Sequence, residues 1–150
     1  MALETILLAV GPNDKDRIDE LADAVTDIAG PAGSEVIVAH VFTDEEYENV
    51  VDRLEFESVA EANPDQVADR HTTVRELLKR LDDANLQTSV RGAVGNHGEQ
   101  IVSLAESVGA DLVVVGGRKR SPTGKAVFGS TAQEVMLSAP CPVTFVRGED

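Results

Sequence analysis

The chain has 150 residues with 27 acidic against 13 basic side chains, a net charge of −14 and a single cysteine. That length predicts one domain with a sizeable core. The charge argues against nucleic acid as a partner, the lone Cys against an internal disulfide or an unaided zinc site, and the lack of a long apolar run against a membrane span.

The acidic surplus comes with only four lysines, at Lys15, Lys79, Lys119 and Lys125. This bias suits concentrated salt, where screening removes self-repulsion over a few ångströms; simple acidity for solubility is the alternative. Met1-Ala2-Leu3-Glu4 carries no basic leader, which predicts a cytoplasmic protein.

In chain order, Glu4–Val10 is a short apolar run stopped by Gly11-Pro12, the pattern of a buried strand. Asn13 or Asp14 can cap the next segment, whose Ile18, Leu21, Ala22, Val25, Ile28 and Ala29 mark one helix face. Gly30-Pro31 is the predicted stop. Glu35–Phe42 is a second buried strand. The acid-rich stretch from Thr43 to Ala62 reads as a solvated loop or short helix, and the sharper alternative is an acidic metal site.

Asn63-Pro64-Asp65-Gln66 is a helix start, followed by the stripe Val67, Val74, Leu77, Leu78 and Leu81, with His71 on the same face as a core-edge histidine. Thr88–Val94 alternates like a half-exposed strand. Asn96 with Glu99 is a capping box for a helix using Ile101, Leu104, Ala105 and Val108, which Gly109 ends. Leu112–Val115 is a third wholly apolar run, stopped at Gly116-Gly117. A basic loop with Arg118, Lys119, Arg120 and Lys125 leads to Gly129-Ser130, where a helix to about Leu137 begins. The strand Val143–Val146 closes the chain.

Alternating strands and amphipathic helices predict a parallel sheet with helices on both faces and ligands beyond the carboxyl ends of the strands. A strand, a cationic glycine-containing loop and a helix start present backbone N–H groups to phosphate. The loop is not a P-loop, because Lys119 and Ala126 occupy the positions of its first glycine and its Ser/Thr. Gly11-Pro12-Asn13 does not supply the dinucleotide fingerprint either.

What these residues resemble is the universal stress protein family, whose nucleotide signature is G-x-x-G, nine residues, then G-[ST]. Gly116 takes the first position and Gly129-Ser130 the last two, while Lys119 stands where the second glycine is expected. His40-Val41, the Gly95 loop, Gly109-Ala110-Asp111 and Ala139-Pro140-Cys141-Pro142-Val143 extend the similarity over nearly the whole chain. The resemblance implies a Rossmann-like, adenine nucleotide alpha hydrolase-like fold with strand order 3-2-1-4-5. It also implies ATP, with or without Mg²⁺, held by Gly116, Gly117, Arg118, Lys119, Gly129, Ser130 and Thr131, with Val41 near the adenine. Nucleotide-binding members usually carry an Asp after the first strand, where this chain has Gly11.

Each residue also has a reading that needs no ligand. Ser130 with Gln133 forms a capping box, and Gly116-Gly117 ends a strand. Lys119 either replaces the glycine as a phosphate partner or fills the phosphate space. No catalytic set stands out: His40, His71 and His97 fall on different elements, His97 is the one acid/base candidate, and Cys141 is an apolar filler. Three functions follow: a nucleotide-binding regulatory module, a nucleotide-free stress or interaction dimer, and a slow ATPase. The resemblance implies a homodimer through Val143–Val146, a sheet edge open to pairing, acting on a further protein partner.

Overall fold

A computed structural model describes residues 3–11, 14–53, 63–117 and 129–148. Its centre is a five-stranded, wholly parallel sheet in the order β3-β2-β1-β4-β5. The strands are β1 (Thr5–Val10), β2 (Glu35–Phe42), β3 (Gln87–Val94), β4 (Leu112–Gly117) and β5 (Val143–Arg147). β1, β2 and β4 are flanked on both sides, so both their faces are buried and their sequences are near-continuous apolar runs.

Alternate residues serve opposite faces. Ile6, Leu8 and Val10 join Val36 and Val38 under α1 (Ile18–Ala32) and α4 (Thr72–Asp83), using Leu21, Val25, Val74 and Leu77. Leu7, Ala9, Ile37, Val113 and Val115 face α5 (His97–Val108) and α6 (Ser130–Ser138), using Ile101, Leu104 and Val135. A smaller cluster of Phe42, Tyr47, Val51, Val67 and Ala68 binds α2 (Asp44–Arg53) and α3 (Pro64–Asp69) to the end of β2.

Several boundaries differ from the sequence expectations. Gly30-Pro31 does not stop α1; the helix runs to Ala32 and ends at Gly33, in the left-handed conformation at φ 69°. Pro31 lies in the last turn, where the missing N–H costs one bond rather than the helix. The stripe from Val67 to Leu81 is two helices, broken at Arg70-His71. The stretch after Thr43 is helical from Asp44 to Arg53, and residues 54–62 lie outside the described ones. The signal for α2 was present: Thr43 Oγ1 accepts from Glu46 N at 3.2 Å while Glu46 Oε1 accepts from Thr43 N at 2.7 Å, a reciprocal capping box. The caps at Asn63 and Asn96 form as expected, each side chain accepting from the first turn.

α3 lies along the outer edge of β3. Asp65 Oδ1 accepts from Gly92 N at 2.7 Å, and a Cβ at Gly92 would stand 2.0 Å from Pro64 O, so only glycine lets α3 approach this closely.

Candidate functional site

Strand order reverses between β1 and β4, the place where an open parallel sheet leaves a crevice at its carboxyl edge. Gly11 leaves β1 there, and Gly116-Gly117 form the end of β4. β4 does not stop at Val115 as the sequence suggests; Gly116 and Gly117 pair with Val146 and Arg147 of β5.

Both glycines have packing reasons to lack a side chain. A Cβ on Gly117 would sit 2.5 Å from Phe145 Cζ, and one on Gly116 would sit 2.9 Å from Arg17 Cδ and 3.0 Å from Asp14 Oδ1. Asp14 and Arg17 belong to a short 3₁₀ turn (Asp14–Arg17) that precedes α1. Asp14 does not cap α1. Its Oδ2 turns back to accept from Gly11 N at 2.6 Å, and its Oδ1 pairs with Arg17 Nε at 3.3 Å. Asn13, the other predicted cap, lies outside the described residues.

Arg17 Nε also reaches Gly117 O at 3.4 Å, so this buried pair connects the ends of β1 and β4. Burial pushes the Asp14 carboxyl above its ordinary range, outweighing Gly11 N and Arg17, which act in the opposite direction. A carboxylate therefore does stand at the end of β1, three residues after the Gly11 position where the sequence comparison finds it missing.

α6 packs against α5, β4 and β5 on the same sheet face as Val113 and Val115. Its N-cap is Gly129 at φ −62° and ψ 160°, with no side-chain cap bond, and Ser130 is the first helical residue. The expected Ser130–Gln133 capping box is therefore absent: Ser130 is already inside the helix, where its hydroxyl cannot reach back over the first turn. Ser130 is exposed, and among the described residues its hydroxyl has no hydrogen-bond partner. Thr131 follows in the same turn, half-buried. A Cβ added to Gly129 would meet none of the described atoms within 4 Å. Among the described residues no packing or left-handed φ requires glycine at 129, unlike the glycines of β4.

Val41 is buried near the end of β2 on the α5 face, paired with Ala93. Arg118, Lys119, Arg120 and Lys125 lie outside the described residues.

A second polar cluster lies beyond β2, under α2. The three histidines sit on different elements, as the sequence suggests, yet the fold brings His40 and His71 together with ring centroids 4.2 Å apart. His71 is not on a helical stripe; it occupies the junction of α3 and α4. His97 starts α5 and lies with Nε2 3.0 Å from Glu46 Oε1. Among the described residues no three His, Cys, Asp or Glu side chains converge as a metal site, and residues 54–62 of the acidic stretch from Thr43 to Ala62 lie outside them. Cys141 packs beside the α5–α6 cluster, and burial followed by Asp111 raises its thiol, which suits a filler. Among the described residues no helix is long and apolar enough to cross a membrane.

The fold and this crevice define an α/β protein of the Rossmann-like class. Residues 3–147 match the profile of the universal stress protein family, and the chain belongs to that family. A universal stress protein of Mycolicibacterium smegmatis is 34% identical over 79 residues, 52% of this chain and 61% of that protein, so the match spans less than two thirds of the relative. The fold is shared with a universal stress protein solved in complex with cAMP, at a TM-score of 0.65 and 22% identity, covering 99% of both chains. It is also shared with one from Archaeoglobus fulgidus in complex with dAMP, at a TM-score of 0.66 and 19% identity, covering 98% of this chain and 100% of that one.

Proposed function

We propose that this chain is a nucleotide-binding stress-response module that takes ATP in the crevice between β1 and β4 and acts by changing partner interactions rather than by catalysis. One observation carries the reading: among the described residues α6 begins with an uncapped first turn, a glycine at 129 that packing does not require, and a Ser130 hydroxyl without a partner. Exposed leading N–H groups at the positive end of a helix suit a phosphate, and a glycine lets it approach the backbone. In this arrangement Gly129, Ser130 and Thr131 receive phosphate oxygens, Gly11, Gly116 and Gly117 line the facing wall, and Val41 lies towards the base. Arg118 and Lys119, which follow β4 in the chain, supply positive charge. Mg²⁺ accompanies the nucleotide through its phosphates. The cAMP and dAMP complexes of structural relatives support the ligand class.

The decisive experiment is a calorimetric titration with ATP, with and without Mg²⁺, on wild type and Ser130→Ala. Heat from the wild type that Ser130→Ala weakens supports the site, and no heat at millimolar ATP refutes it. Hydrolysis is expected to stay at the no-protein rate; turnover abolished by Ser130→Ala would establish the ATPase reading instead.

A second reading draws on the facing wall. Asp14 is engaged by Gly11 N and Arg17, and Lys119 stands at a glycine position, which favours a dimer whose nucleotide site has been lost. In either reading the cytoplasmic chain pairs with its copy through Val143–Val146, at the open edge of the sheet. A sedimentation mass of two chains is the expected result, and a one-chain mass at micromolar concentration refutes the pairing.

A further inference from the structure

The histidine cluster under α2 has no part in the proposed nucleotide site. His40 is buried on β2, with Nδ1 2.8 Å from the Val10 carbonyl oxygen. In that bond Nδ1 carries the proton, which leaves Nε2 as the bare nitrogen of a neutral ring. One side of the ring meets Phe42, with centroids 4.5 Å apart, and another meets His71 at 4.2 Å and a 30° tilt. Among the described residues, His71 Nδ1 is buried without a hydrogen-bond partner, and so is the Tyr47 hydroxyl on α2. A cavity of about 240 Å³ separates these rings from α2, whose Glu46, Asn49 and Arg53 help line it.

We propose that His40 and His71 form an acid-sensitive latch, which holds α2 against the sheet while both rings are neutral and releases it when they take up protons. The charges facing the two rings explain the direction. α2 contributes Arg53, a cation, and Glu46, whose carboxylate is already held by Thr43 N and by His97 from the start of α5. A charged His40 and a charged His71 would therefore stand 4.2 Å apart beside Arg53, and Glu46, the one carboxylate among the described lining residues, is engaged elsewhere. Like charges at such a distance in a partly desolvated site repel strongly.

Burial first, and then His71, push His40 down to about 4, while burial and Arg53 lower His71. Release of α2 uncovers Phe42 and the buried faces of Tyr47 and Val51, an apolar patch absent at neutral pH. The latch stands independently of nucleotide binding.

Tyr47 is the only tyrosine in a chain without tryptophan, so intrinsic emission reports this helix alone. The test is acrylamide quenching of that emission from pH 7.5 to 4, at low protein concentration because neutralisation near the isoelectric point favours association. The expected result is a rise in Tyr47 quenching, about twofold or more, with a midpoint between pH 6.5 and 4 while far-UV circular dichroism keeps its neutral-pH shape. His71→Phe removes one titrating ring without leaving a void and should move the midpoint down or abolish the rise. His40→Gln should do the same, and His71→Phe decides alone if His40→Gln does not fold. Flat quenching, a rise that only follows loss of circular dichroism, or an unmoved midpoint in His71→Phe would overturn the latch.

Discussion

Replacing Gly129 by serine should move stability and nucleotide affinity in opposite directions. Gly129 is the N-cap of α6 with an extended backbone at φ −62° and ψ 160°, which serine adopts without strain, and none of the described atoms lies within 4 Å of a Cβ there. The helix has no side-chain cap, so a serine hydroxyl that accepts from the first turn adds a few tenths of a kcal/mol. For a chain of this length that raises Tm by roughly 1 °C. The same hydroxyl occupies the N–H groups that the proposed site offers to phosphate. Losing one hydrogen bond to a charged group costs about 1.5–3 kcal/mol, a drop in affinity of about 10- to 150-fold. Differential scanning fluorimetry without ligand and calorimetry with ATP read the two effects separately. An ATP affinity equal to wild type in a variant whose Tm has risen would refute a phosphate at Gly129.

Gly117→Ala should lower stability by about 1–3 kcal/mol, because the added methyl lands on the Phe145 ring and forces β4 from β5 or Phe145 from its rotamer; an unchanged Tm would show that the ring swings aside freely. Lowering the pH should weaken the fold through His40. Its folded value of about 4 lies below the ordinary 6.5, so the unfolded chain takes the proton first, and the contribution is full above 6.5 and lost as pH falls towards 4. The loss is about 2 kcal/mol between pH 7 and 5, measured by urea unfolding, and His40→Gln should flatten it; equal pH slopes in both proteins would contradict this. With a net charge of −14, unfolding midpoints should rise from low to molar KCl, and a salt-independent midpoint would remove the case for salt adaptation.

The sheet was legible because its strands are buried on two faces. Runs such as Leu112–Val115 and Val36–Phe42 have no other comfortable place in a chain this polar, and the fold, parallel with order 3-2-1-4-5, follows from their alternation with helices and from the family resemblance. Helix ends were less legible, since Gly30-Pro31 carries a stop signal that tertiary packing of Val25 and Ala29 overrides. The short helix expected in the acidic stretch is α2, but its start went unread because the Thr43–Glu46 box lies among so many other acids. At the candidate site the spacing of Gly116 and Gly129 could be read, but their reasons could not. Only the structure separates a glycine required by the Asp14–Arg17 pair from one that no described neighbour requires. The return of Asp14 onto Gly11 N, and the meeting of His40 with His71, join residues whose spacing in the chain carries no pattern.

The contact between α3 and β3 limits how this sheet can grow. On that side the outward N–H of Gly92 is already taken by Asp65, and the Pro64 backbone stands where an incoming strand would lie. Among the described residues β5 is the other terminal strand, with no further strand paired beyond it. A chain with one such edge can accept one neighbour, and when that neighbour is its own copy the single edge of each is consumed in the same contact. For the pairing proposed above, assembly would then close at two, with growth of the sheet from its β3 side opposed by Pro64, Gly92 and Asp65.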